Sequence, residues 1–106
     1  LSYEPGHEGA LERLAAVPEG DGTLLDNCLI MAHSETSFAQ SHDVRSLPVM
    51  TAGTAGGKLK TGLHVRGNGD PITRVGLTVQ QLVGQPVASW GTDSMNVSTP
   101  ITEILV

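Results

Sequence analysis

Asn27-Cys28-Leu29-Ile30-Met31-Ala32-His33-Ser34-Glu35 is the stretch on which the fold turns. Residues 28–32 form an unbroken apolar run, too short for a helix and without a polar face. Such runs characterise parallel strands covered on both sides. The run ends abruptly in His33-Ser34-Glu35. Ser41-His42-Asp43 follows, then a second apolar run over 47–52, beginning Leu47-Pro48-Val49-Met50. Pro48 lacks an N–H, which suits the start of a strand. Two buried strands with ionisable side chains at their ends predict an α/β protein whose site lies at a sheet rim.

Outward from this centre the elements follow from periodicity. Residues 7–17 predict a helix, with Leu11, Leu14, Ala15 and Val17 as one apolar stripe and Glu8, Glu12 and Arg13 opposite. Glu8 suits the helix dipole and Pro18 stops the run. Gly53-Thr54-Ala55-Gly56-Gly57 reads as a turn, not a phosphate cradle, because it lacks Gly-Lys-Ser/Thr and precedes no helix. Residues 58–65 alternate, with Leu59, Thr61, Leu63 and Val65 on one face, and predict an exposed strand or hairpin arm. Residues 72–83 predict a helix on Ile72, Val75, Val79, Leu82 and Val83, with Asp70 as N-cap, Pro71 at the first position and Gly84 just past the end. Helix, strand, strand, hairpin and helix in that order suit one edge of an α/β sandwich. After Pro86 the chain reads as loop and an apolar tail.

Bulk composition narrows the function. At 106 residues and net charge −5 the chain is one domain at most and lacks the basic footprint of a nucleic-acid binder. Lys58, Lys60 and Arg66 make a small basic patch that reads as a solvated hairpin face. Aromatic residues are 3 %, so any core is aliphatic. The single cysteine, Cys28, lies in the apolar run and reads as a buried thiol. No run reaches the ~18–20 apolar residues that span a membrane. The chain opens at Leu1 rather than Met, and the expectation is a single C-terminal fragment of a larger α/β domain, with its core over 24–91 and loop and tail over 92–106. It would then pack on the missing N-terminal part of the same chain.

Glu35, His42 and His64 are the candidate metal ligands, since carboxylate oxygen and imidazole nitrogen are donors a zinc-type centre takes. Asp43 stands beside His42, where it either accepts the second ring proton or caps the loop. The plain alternative is that Glu35 and His42 pair or cap loops and that His64 is a surface residue. Ser34, Ser37 and Ser41 lie near these histidines, but no Gly-x-Ser-x-Gly elbow is present. His33 reads as a partly buried packing residue and His7 as an exposed helix residue.

Gly22-Thr23-Leu24-Leu25-Asp26-Asn27-Cys28-Leu29-Ile30 resembles the "(S/T)LLDNTLV" entry of a bacterial family of secreted proteins with an HXXSHH motif, domain of unknown function 1552. Ser34-Glu35, Ser41-His42-Asp43 and Leu47-Pro48-Val49 continue in step. So do Gly56-Gly57-Lys58-Leu59-Lys60-Thr61-Gly62-Leu63-His64, which resembles "GGRLKTGRHL", and the helix with Pro86-Val87 and Trp90-Gly91 after it. Leu63 departs, standing where the family has a basic residue, and no HXXSHH segment occurs in these 106 residues. The family is similar to the alkaline-phosphatase and sulfatase superfamily. The resemblance implies an alkaline-phosphatase-like sandwich, here incomplete, with a mixed sheet flanked by helices. It implies a divalent metal (zinc, calcium or magnesium) on Glu35, His42 and His64, and phosphate or sulfate esters as substrates. It also implies a periplasmic or extracellular location. The rival expectation is a non-catalytic exported module that keeps the fold and binds surface polysaccharide or a protein.

Overall fold

A computed structural model describes residues 5–36, 40 and 46–106. The chain is of mixed α/β class, with two α-helices and two small antiparallel sheets among these residues. It divides into two units, Leu1–Gly57 and Lys58–Val106.

In the first unit, helix α1 spans Pro5–Ala16. Pro18 cannot continue a helix, and the chain turns there into strands β1 (Pro18–Glu19) and β2 (Gly22–Thr23). Gly20 sits in the turn between them with φ +58. The expected apolar stripe is only partly used: Leu14 is half-buried, while Leu11, Ala15 and Val17 are exposed. Strand β3 is Ile30–His33 and strand β4 is Val49–Ala52.

Here the expectation of buried parallel strands is overturned. β3 and β4 run antiparallel, with Ile30 opposite Ala52 and His33 opposite Val49. Burial along β3 alternates between half-buried and exposed. A continuous apolar run states that a strand suits a covered position, but it carries no information about strand direction. His33 follows this alternation and is exposed, not partly buried. Cys28 is half-buried and free, so the reading of a buried thiol is also corrected.

What holds β3 and β4 in place is a lock between two turns. Leu25–Asn27 forms a 3-10 turn whose carbonyls face the 53–57 turn. The Asp26 carbonyl accepts the Thr54 hydroxyl at 2.6 Å and the Gly56 N–H at 2.8 Å, and the Cys28 carbonyl accepts the Ala55 N–H at 3.0 Å. Gly53, at φ +92, lets the two backbones meet, because a Cβ there would overlap the Cys28 carbonyl oxygen. Residues 53–57 are thus the turn that the sequence predicts.

In the second unit, helix α2 is Thr73–Leu82, one residue shorter at each end than expected. Leu77 and Leu82 are buried and Val75 and Val79 half-buried, while Ile72 and Val83 are exposed. Its end is a Schellman motif: the Gln85 N–H reaches the Gln80 carbonyl at 2.8 Å and the Gly84 N–H that of Gln81 at 3.2 Å, with Gly84 at φ +92. Its start differs from expectation. Asp70 does not cap the helix; the side chain pairs with Arg74 four residues on. The first N–H groups are met instead by 3-10-type bonds, from Arg74 to Pro71 and from Val75 to Ile72, both at 3.0 Å.

The expected strand over 58–65 does not form. Only Leu59 makes a bridge, to Leu105 in the tail, and Leu59 is buried at 3 % exposure. The segment after Pro86 is more ordered than a loop. Trp90 bridges Val97 around a 3-10 turn at Asp93–Met95, and a last 3-10 turn at Thr102–Ile104 leads to Leu105. No helix among the described residues is long and apolar enough to cross a membrane.

Candidate functional site

Glu35 lies at the apex of a tight turn just past β3. The Ser34 N–H extends the ladder towards the Pro48 carbonyl at 3.5 Å. The Ser34 hydroxyl then donates to the Thr36 carbonyl at 2.6 Å and accepts the Thr36 N–H at 3.2 Å. This is the local turn that a serine side chain makes with backbone two residues on. It fixes the backbone on both sides of Glu35 and leaves the glutamate exposed. The same bonds commit the Ser34 hydroxyl to the turn. Ser37 and Ser41 lie outside the described residues.

His42 and Asp43 also lie outside the described residues. His64 belongs to the second unit, in a stretch where every residue from Lys60 to Asp70 is exposed. Glu35 belongs to the first unit. Among the described residues no three His, Cys, Asp or Glu side chains form a metal-binding group. The ligand set expected from the sequence therefore has Glu35 on a turn, His64 on an exposed stretch, and its third member beyond what is described.

The other polar residues of the 22–30 string serve the scaffold. The Asp26 carboxylate accepts the Thr23 N–H at 2.8 Å and the Thr23 hydroxyl at 3.2 Å, and the Asn27 amide donates to Glu19 at 2.8 Å. In the second unit Arg74 is spoken for in the same way, by Asp70 and by the carbonyls of Thr99 and Pro100 at 3.2 and 3.1 Å.

The small basic patch expected at Lys58, Lys60 and Arg66 is solvated, but it is not a hairpin face. Lys60 and Arg66 lie on a wholly exposed stretch outside any strand, together with Leu63 and Val65. Positions 58–69 carry these three cations and no acid. The alternation over 58–65 predicted an exposed strand or hairpin arm; the stretch is exposed from Lys60 onward, but no strand forms. Comparison of the chain with protein-family models, with curated proteins and with solved structures finds no match.

Proposed function

We propose that this chain is the C-terminal part of an exported hydrolase-like protein with an alkaline-phosphatase-like sandwich, acting on phosphate or sulfate esters. The observation that carries the reading is Glu35, displayed at a turn directly after a strand whose flanking sequence resembles the HXXSHH-motif family. A rigid strand followed by a short pinned turn is how carboxylate ligands are aimed.

The donor chemistry discriminates among the ions. Two imidazoles with one carboxylate suit zinc, whereas calcium and magnesium prefer oxygen throughout. Glu35 and His42 would hold the ion, Asp43 would accept the second ring proton of His42, and His64 would bind the ion or the ester oxygen. A bound divalent ion supplies positive charge for the oxygen on which charge develops. The nucleophile would come from the upstream part of the chain. The location would be periplasmic or extracellular.

The test is elemental analysis of the full-length protein with a screen of phosphate and sulfate esters. The expected result is stoichiometric zinc, ester turnover, and loss of both in His42→Ala. Protein that binds no stoichiometric metal ends the proposal. Metal without turnover of any ester would favour the non-catalytic module instead.

A further inference from the structure

Residues 58–69 read Lys-Leu-Lys-Thr-Gly-Leu-His-Val-Arg-Gly-Asn-Gly. They hold three of the chain's six Lys and Arg residues and no Asp or Glu, in a chain of net charge −5. The charges are thus segregated. The stretch is tethered at its start: the Lys60 N–H donates to the Ile104 carbonyl at 2.8 Å, the Val106 N–H to the Lys58 carbonyl at 3.0 Å, and Leu59 is buried. From Lys60 onward every side chain up to Asp70 is exposed, and Leu63 and Val65 keep 55 % and 38 % of their surface in water. At its far end the Asp70 N–H closes a turn on the Gly67 carbonyl at 3.0 Å, and Asp70 pairs with Arg74 at the start of α2.

A single exposed leucine needs no explanation. Two apolar side chains among exposed cations, with no acid in the run, match what an anionic lipid surface selects. We propose that the 58–66 stretch docks on an anionic phospholipid surface. Leu63 and Val65 enter the boundary between headgroups and acyl chains. Lys60 and Arg66 reach the phosphates, their aliphatic stems lying along the apolar layer. The net negative charge of the whole chain does not prevent this, because charges beyond about 8 Å are screened at physiological salt. A soluble polyanion is the weaker candidate, since it would use the cations and leave Leu63 and Val65 without a role. The stretch docks on a membrane and does not cross it. The proposal is separate from the ester-hydrolase reading and stands or falls without it.

Co-sedimentation of the full-length protein with vesicles tests it. Phosphatidylglycerol vesicles should bind the protein, less as salt rises, and pure phosphatidylcholine vesicles should not. Each lost cation should weaken binding about fivefold, so the double variant Lys60→Glu/Arg66→Glu should bind at least about 25-fold more weakly. Leu63→Ser/Val65→Ser should also bind weakly, by about tenfold. All four side chains are exposed, so an unchanged circular dichroism spectrum is expected for both variants. Absence of binding to phosphatidylglycerol, equal binding to both lipids, or binding indifferent to either double variant would overturn the proposal. So would full vesicle binding by Leu63→Ser/Val65→Ser together with competition by dextran sulfate, which would assign the surface to a soluble polyanion.

Discussion

The Thr78 hydroxyl accepts the Ile101 N–H at 2.9 Å and so ties the middle of α2 to the C-terminal tail. The same hydroxyl donates to the Arg74 carbonyl one turn back at 2.7 Å, and Thr78 is 1 % exposed. Threonine inside a helix usually makes only the backward bond, which leaves its oxygen able to accept. Here that capacity meets a tail N–H that has no helix or sheet partner of its own.

Thr78→Val keeps the shape and removes both halves of this arrangement. The part-buried Ile101 N–H is then left without its acceptor, which costs about 1–3 kcal/mol. Thr78→Ser retains the hydroxyl and should cost less, about 1 kcal/mol for the lost methyl group. Urea unfolding followed by far-UV circular dichroism measures both. A Thr78→Val variant as stable as the parent would show that the bond to Ile101 contributes nothing.

Gly53 and Gly56 make a matched pair for the lock between the two turns. Both have positive φ, +92 and +73. A Cβ at Gly53 would overlap the Cys28 carbonyl and lie 2.8 Å from that of Leu25, whereas nothing lies within 4 Å at Gly56. Gly56→Ala should therefore cost only the left-handed backbone penalty, about 1–2 kcal/mol. Gly53→Ala must also push backbone from backbone and should cost about 3 kcal/mol or more, since this steric term is added to the same penalty. Thermal melts of the two variants should separate clearly, with Gly53→Ala the lower; coincident melts would mean that the lock yields freely.

Both helices were legible because each carries its own punctuation. Pro18 follows α1, and Gly84 takes the positive φ that ends α2. The Gly53–Gly57 turn was legible for the same reason. What the sequence did not disclose depends on partners distant along the chain. Nothing in residues 28–32 reports that β4 arrives antiparallel, and so the exposure of His33 could not be foreseen. Asp70 looked like a cap because capping is local, but Arg74 competes for the carboxylate and itself is held by two tail carbonyls. Alternation over 58–65 resembled a strand, yet it forms a single bridge, Leu59 to Leu105, closed by the backbone bonds of Lys58 and Lys60 to a tail that carries no strand signal. Of the candidate site, the position of Glu35 just past a strand was legible from where the apolar run ends. Its relation to His42, which lies outside the described residues, is not something any periodicity of the sequence gives.

Arg74→Lys tests the attachment of the tail. The guanidinium serves Asp70 and the carbonyls of Thr99 and Pro100 together, and an ammonium on a flexible stem does not reproduce that fork. The Asp70 partner is 40 % exposed, so the ion pair itself contributes little. Asp70→Asn should accordingly change stability by no more than about 0.5 kcal/mol. Arg74→Lys should cost about 1–2 kcal/mol through the two carbonyls, and it should speed amide exchange at Ile101. Should Asp70→Asn prove the more damaging variant, the ion pair rather than the fork would be what fastens the tail.

The ligand assignment separates from the scaffold at Glu35. The turn around it uses the Ser34 hydroxyl and the Thr36 backbone, and none of these bonds involves the glutamate side chain. Glu35→Gln therefore keeps size and turn while replacing a charged oxygen donor with a neutral amide. The full-length variant should keep its circular dichroism spectrum and lose zinc affinity by at least about tenfold, the smaller of the losses typical even for residues one layer out from a metal. His64→Ala then distinguishes two roles. Zinc content should fall if His64 is a ligand; if it contacts the ester oxygen, zinc should stay and KM should rise. Unchanged zinc affinity in Glu35→Gln would remove the carboxylate from the site and, with it, the main reason for placing a metal at this strand end.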